Sequence, residues 1–315
     1  MSKFLRSWES LLILILGITT AVNISLAPEF LTLQNQVNLF QLSIEKIIIA
    51  TIMTLIIING EIDLSVASIM GLSACTFGTI IDVGMPASLA ILLCLGLGIM
   101  LGAINAFWIT IIGIPSLVVT LASLIGYRGF ARVLLEDRGI TGFPDWFIAL
   151  GRDGLIGSLP LSFFAFALLV ATLSIVLHRT GFGREVFTIG NSAEVAHYSG
   201  LRVARVKSIL FILSGGISAM AGLFYAARLA SVRGDAAFGF ELDIITMVLL
   251  GGVSIFGGKG SMLGVVLSIL IVLNLRNGMA LMNITGHIQT AVIGILLIAS
   301  VLIPNMLERL RSVST

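Results

Sequence analysis

Polar residues are so sparse along this chain that its organisation shows in the interruptions. Apolar runs recur near 10–27, 39–59, 63–82, 86–112, 115–135, 160–178, 207–227, 243–257, 262–282 and 285–304. A helix crosses the hydrocarbon core of a bilayer with roughly 20 apolar residues. The pattern predicts an all-α, polytopic membrane protein of about ten spans, organised as one transmembrane domain over 1–315. The eighth run is short for a span.

Charge then orients the spans. Ten crossings put both termini on one side, and Lys3, Arg6, Arg179, Arg184, Arg202, Arg205, Lys207, Lys259, Arg309 and Arg311 share that face. An excess of Lys and Arg marks cytoplasmic loops, so both termini are expected in the cytoplasm. The opposite face receives the longer loops "LEDRGITGFPDWFIALGRDGLIGSLP" and "RLASVRGDAAFGFELD". The N-terminal "MSKFLRSWESLLILILGITTAVNISLA" starts basic and turns apolar without a small-residue cleavage site, and reads as a retained first span.

Composition removes whole classes of function. Of 315 residues, 57% are hydrophobic and 11% charged, against about 25% charged in soluble domains, which excludes a soluble multidomain enzyme. The net charge of +2 gives no reason to expect nucleic acid. Cys75 and Cys94 lie inside apolar runs and read as small core residues. His178, His197 and His287 have no metal-ligand spacing, and no nucleophile–base constellation is present, so neither a metal site nor a hydrolase is expected.

One polar island breaks the pattern. Residues 179–207 hold Arg179, Arg184, Arg202, Arg205 and Lys207 with Glu185, Glu194 and His197. Asn191 followed three residues later by Glu194 has capping-box spacing, and Gly200 can end a helix in the left-handed conformation, which predicts a helix over 192–199. Two turns are too short to be stable alone in water. The segment is therefore either a solvated loop that obeys the charge bias or a helix that docks against a cytoplasmic partner, with Gly181, Gly183 and Gly190 shaping its approach.

An internal echo accompanies it. "EIDLSVASIMGLSACTFG" from Glu61 aligns with "ELDIITMVLLGGVSIFGG" from Glu241, matching at 61/241, 63/243, 71/251 and 78/258. The two copies start spans from opposite faces, as inverted-topology halves would. "GGVSIFGGKGS" is not a phosphate loop: Lys259 is followed by Gly260, and Val253 stands where the first glycine belongs. Its glycines suit close backbone approach at an irregular span end.

Polar groups within the spans give the path or gate candidates Asp63, Ser65, Asn105, Thr120 and Asn274, with Asn277 beside Arg276. Acids are costly at a span centre, so Asp63 is expected at a span start, capping it with Ser65 and bracing the cytoplasmic gate. For the amides, hydrogen bonding between helices competes with a substrate role. Arg276 is expected to snorkel to water, and Arg128 and Arg132 to anchor the outer end of the fifth span. Phe107, Trp108, Tyr127 and Phe130 are either stacking platforms or lipid-facing and core residues.

"TGFGREVFTIGNSAEVAHYSGLRVARVK" resembles the cytoplasmic coupling segment of permease subunits in bacterial ABC importers for monosaccharides. "INGEIDLSVASIMGLSA", "IPSLVVTLASLIGYRGFA" and "LLGGVSIFGGKGSMLG" are similar to that family's other signatures and stand in its order over about 30–305. Glu61 and Ala67 depart from a pattern that often has glycine there, and Asn191-Ser192 replaces a common Gly-Asn pair. "GEIDLS" and "GNSAEVAHYSG" resemble the rhamnose and autoinducer-2 branch more than the ribose branch. The resemblance implies a non-enzymatic transport subunit of the bacterial inner membrane that imports a monosaccharide or small polyol. It implies an ABC ATPase carrying ATP and Mg, a second identical or related permease subunit, and an extracytoplasmic sugar-binding protein at loops 135–159 and 228–242. It makes Arg184, Gly190, Asn191, Glu194, Ala196, His197 and Gly200 the coupling residues. The open alternatives are a branched-chain amino acid permease of the same superfamily and an ion-coupled secondary transporter, whose signature would be membrane-embedded acids or broken helices.

Overall fold

The computed structural model describes residues 8–136, 138–296, 298 and 302. Lys3, Arg6, Arg309, Arg311 and most of the chain after 296 lie outside them. Each apolar run becomes a helix, but not every helix is a full span. Six helices among the described residues are long and apolar enough to cross a membrane. They are α1 (Trp8–Leu26), α5 (Ala87–Thr110), α6 (Ser116–Leu135), α8 (Leu161–Arg179), α11 (Val203–Leu229) and α13 (Met262–Leu281). The run at 39–59 is a broken pair, α2 (Leu33–Gln41) and α3 (Ile44–Ile58), bent by 56° and counting as a seventh span if taken as one.

Among the described residues the expected count of ten full spans is therefore not confirmed. The third run gives α4 (Val66–Asp82), 17 residues, and the tenth gives α14 (Gly286–Leu296) before the description ends. The eighth gives α12 (Phe240–Leu250), whose 11 residues rise only about 16 Å, roughly half a bilayer core. Hydropathy counts apolar residues. It does not see that the glycines at 251–260 unwind the second half of that run.

α3 lies at the centre. All 15 of its residues are buried, as expected of a helix that is apolar on every side beyond the charges of its first turn, Glu45 and Lys46. It packs against α8, α11, α12 and α13. α11 crosses α5 closely because Gly98, Gly102 and Gly215 meet backbone to backbone, where a Cβ would overlap the facing main chain. Pro86, Pro115, Pro144 and Pro160 sit at the N-caps of α5, α6, α7 (Asp145–Arg152) and α8, where an amide proton is not needed.

The two longer loops form a joint cap at one end of the bundle. β1 (Ile140–Thr141) pairs antiparallel with β4 (Ser231–Val232), bringing together segments 90 residues apart. β2 (Gly154–Ile156) pairs with β3 (Leu159–Pro160) after α7. Arg152 ties α7 to the end of α11 through Nε to the Arg228 carbonyl at 2.6 Å. Trp146, Leu155, Ile156 and Phe238 stand exposed on this cap.

The opposite end carries the polar island. It contains two helices where one was expected: α9 (Gly181–Asn191) and α10 (Ala193–Tyr198). The two echo segments run in opposite directions. α4 starts near the island, whereas α12 starts near Arg128, deep along α6, and ends near the island.

Candidate functional site

Three constellations gather the polar chemistry of the molecule. The first is the island and its junction with the bundle. α9 starts at Thr180, whose hydroxyl accepts from Gly183 N at 3.3 Å and donates to the Val176 carbonyl at 2.6 Å. It buries Val186 and Ile189 and leaves Arg184 and Thr188 exposed. At its end, Gly190 fits against the Ile58 carbonyl, which also accepts from Gly258 N at 2.8 Å; a Cβ at 190 would overlap both backbones. Asn59 Nδ2 reaches the Val186 carbonyl at 3.4 Å. The ends of α3 and α9 and the glycine loop after α12 therefore meet through main chain, with almost no compressible side chain between them.

The expected cap at Asn191 is corrected by the structure. Asn191 closes α9, its amide donating to the Phe187 carbonyl at 2.9 Å, and Ser192 caps α10 by accepting from Val195 N at 3.2 Å. α10 is accordingly 193–198 rather than 192–199. Gly200 ends it at φ +83°, with Leu201 N bonded to the Ala196 carbonyl and Gly200 N to that of His197, as a Schellman motif requires. Ala196 is fully buried and anchors α10. Glu194 and His197 are exposed, together with Val195 and Tyr198, two apolar contributors to this face that the sequence pattern did not single out. Lys207 and Glu61 close an ion pair between the start of α11 and the loop before α4.

The second constellation unites four of the five path or gate candidates. Asp63 Oδ1 accepts from Ser65 N at 2.9 Å and Ser65 Oγ at 2.6 Å, and its Oδ2 accepts from Ser214 Oγ on α11 at 2.7 Å. Asn105 on α5 donates to Ser65 Oγ at 2.8 Å and accepts from Ser123 and Tyr127 on α6 at 2.6 and 3.2 Å. Thr120 donates to the Ile62 carbonyl at 3.2 Å. Asp63, Ser65, Asn105, Thr120, Tyr127 and Ser214 are buried, and Ser123 is partly so. It stitches α5, α6 and α11 to the start of α4. Asn274 is elsewhere, accepting from Asn23 Nδ2 at the α1–α13 contact through its carbonyl at 2.8 Å. Cys75 and Cys94 are buried free thiols. Tyr127 is a buried core residue, while Phe107, Trp108 and Phe130 are partly exposed.

The third constellation was missed. Lys46 at the start of α3 pairs with Asp243 on α12 at 2.9 Å, and Arg276 on α13 takes the other Asp243 oxygen at 2.6 Å. Glu45 pairs with Arg228 at 2.7 Å, and Arg128 with Glu241 at 3.2 Å. Aromatic rings pack on the cations: Phe240 lies 4.4 Å from Lys46 Nζ and Phe238 4.7 Å from the Arg128 guanidinium. Arg276 does not snorkel to water, and Arg128 turns inward to Glu241 instead of acting as an outer anchor. The available signal was Glu45-Lys46 inside an apolar run, since charges placed there must find partners. The acids and the broken helix expected of an ion-coupled transporter are thus present; Glu45, Glu241 and Asp243 each have a cationic partner, whereas Asp63 is held by two serine hydroxyls and a backbone N–H. No cluster of three or more His, Cys, Asp or Glu suited to a metal occurs among the described residues.

Comparison with known proteins gives these constellations a context. Over 257 residues, 80% of this chain and 77% of the relative, the chain is 38% identical to the autoinducer 2 import system permease protein LsrD of Yersinia pseudotuberculosis serotype O:1b (strain IP 31758). It is 37% identical over the same span to the LsrD proteins of Yersinia enterocolitica serotype O:8 / biotype 1B (strain NCTC 13174 / 8081) and Yersinia pestis (strain Pestoides F). No solved structure matches the chain. Residues 35–301 match the family described as branched-chain amino acid transport system / permease component, which takes in every helix from α3 to α14. The chain is a polytopic membrane protein that belongs to this permease family.

Proposed function

We propose that this chain is the transmembrane subunit of an ATP-driven importer that carries autoinducer-2, or a small polyol or monosaccharide of similar chemistry, into the bacterial cytoplasm. The observation that carries the reading is the 38% identity, over 80% of the chain, to permeases named for autoinducer-2 import. The family description points to branched-chain amino acids, but the individual relatives named here do not.

In this reading the chain sits in the cytoplasmic (inner) membrane with both termini in the cytoplasm, and it performs no chemistry itself. A cytoplasmic ABC ATPase, which holds ATP and Mg, docks on the exposed face of α10 formed by Glu194, Val195, His197 and Tyr198. Arg184 borders that contact. Closure of the ATPase pushes α9 and α10, and the Gly190–Ile58–Gly258 contact passes the displacement to the ends of α3 and α12. Asp63, Ser65, Asn105 and Thr120 brace the gate at the start of α4. A second permease subunit, identical or related, completes the pathway. A binding protein delivers solute to the cap built from β1, β4 and α7.

The test is uptake into proteoliposomes containing the chain with the ATPase and binding protein of its system. Expected is ATP-dependent accumulation of autoinducer-2, resistant to an ionophore and unaffected by leucine. The variant Glu194→Arg with Gly200→Trp is expected to copurify without the ATPase. Uptake that follows an ion gradient overturns the energy source; accumulation of leucine in place of autoinducer-2 overturns the substrate.

A further inference from the structure

The break between α2 and α3 opens a cavity of about 150 Å³ on the flank of the buried charge cluster. One water needs only about 10–15 Å³ of such volume, so the space suits a solute rather than a bridging water. Ser43, Lys46, Arg276, Asn277 and Gln289 supply its polar lining, set in a wall of leucine and alanine. Four features make that lining short of acceptors. Lys46 and Arg276 share the single carboxylate of Asp243. Across the whole cluster the cations Lys46, Arg128, Arg228 and Arg276 face only the acids Glu45, Glu241 and Asp243. The Nε–H of Arg276 is buried and has no partner. The N-terminal turn of α3 borders the same cavity, and Ser43 at its N-cap makes no side-chain capping bond, so the first amides of the helix receive no side-chain acceptor from their cap.

A buried donor and an uncompensated positive field call for oxygen acceptors. The lining holds no acidic side chain, and both oxygens of nearby Asp243 are engaged, so no free carboxylate there would balance an ammonium charge. That disfavours an amino acid and favours a polyol, whose hydroxyls accept from Arg276 and also donate to the free acceptor sites of Ser43 and Gln289. Asn277 serves as wall, since its amide is held in a reciprocal pair with Asn35 at 2.9 Å. We propose that this cavity at the α2–α3 break is a binding station for a small, oxygen-rich polyol, held by Arg276, Ser43 and the N-terminal turn of α3. The proposal rests on the importer reading and specifies where in the membrane domain its solute pauses.

The experiment uses the complete importer in proteoliposomes, with Ala280→Cys as a reporter because Ala280 lines the cavity wall and is exposed. Its alkylation by N-ethylmaleimide is timed with autoinducer-2, ribose, leucine or inorganic phosphate added; the native thiols are buried. Autoinducer-2 is expected to slow labelling and leucine to leave it unchanged. Arg276→Lys keeps a charge for Asp243 but loses the Nε–H, and Ser43→Ala loses the hydroxyl. Each is expected to raise the concentration giving half-protection about tenfold, the equivalent of one lost hydrogen bond to a charged or desolvated group. Recovery of the ATPase with each variant reports folding, and Ser43→Ala removes so little that it serves if Arg276→Lys is not recovered. Uptake of autoinducer-2 with no protection of Ala280→Cys overturns this site and leaves the function standing. Protection by phosphate equal to that by autoinducer-2 identifies a simple anion site and overturns the polyol assignment. Absence of any polyol uptake by the wild type overturns the importer reading and this site with it.

Discussion

At the scale of single residues, the buried charges decide how much this bundle tolerates. Glu45 is fully buried, with one oxygen on Arg228 and the other without a partner. Removing one member of a buried pair strands the other, at a cost of about 3–5 kcal/mol, whereas replacing both with apolar or neutral groups of similar size is often near neutral. Arg228→Met is therefore expected to destabilise the purified chain by that amount, and the double variant Arg228→Met with Glu45→Gln to recover most of the loss. Thermal unfolding in detergent measures both. Equal losses in the single and double variants would mean that stranding Glu45 costs little and that Arg228 acts instead through its contact with the Tyr225 ring. Pairing of this kind was only half legible beforehand. A Glu-Lys dipeptide in an apolar run announces that partners must exist, but Asp243 lies 197 positions from Lys46, and no local pattern links them. Asp63 was easier, because its first partner, Ser65, lies two residues away in the chain.

At the scale of elements, the island shows what spacing can and cannot resolve. Its existence, its short second helix and the glycine that ends it were all readable from polarity and turn chemistry. The N-cap was misassigned by one residue because Asn191 and Ser192 are both good capping types, and the Glu194 spacing favoured the wrong one. α9 escaped notice because Gly183 and Gly190 look like helix breakers, whereas here they are points of contact with the Val176–Leu177 and Ile58 backbones. A glycine kept for proximity and a glycine kept for a turn are alike in sequence. The cap itself yields a prediction. Ser192→Ala removes a bond typically worth about 0.5–2 kcal/mol, enough to fray six residues that have no stability of their own. The bundle does not depend on that bond, so its unfolding temperature is expected to stay put while copurification of the ATPase falls. Parallel loss of both would place α10 within the folding core, contrary to its exposed face.

At the scale of the whole molecule, the two ends of the bundle are built differently, and the difference is mechanical. The island end meets the bundle through bare backbone at Ile58, Gly190 and Gly258, so a push there has little to compress. The cap end joins two loops through a two-residue ladder, Ile140 to Val232 and Thr141 to Ser231, reinforced by Arg152 on the end of α11. Composition and charge bias marked both loops as extramembrane, but their pairing across 90 residues is a tertiary fact that neither loop encodes alone. If the cap receives the binding protein as one unit, its two strands stay together through the transport cycle. Opposed residues in an antiparallel pair have Cα atoms about 4.5–5.5 Å apart, within the usual range of about 4.4–6.8 Å for a disulfide. Thr141→Cys with Ser231→Cys is therefore expected to oxidise readily and to leave uptake into proteoliposomes undiminished, with Cys75 and Cys94 buried away from exchange. Uptake that fails on oxidation and returns on reduction would mean that the loops must part to admit solute, which makes the β1–β4 ladder a gate rather than a platform.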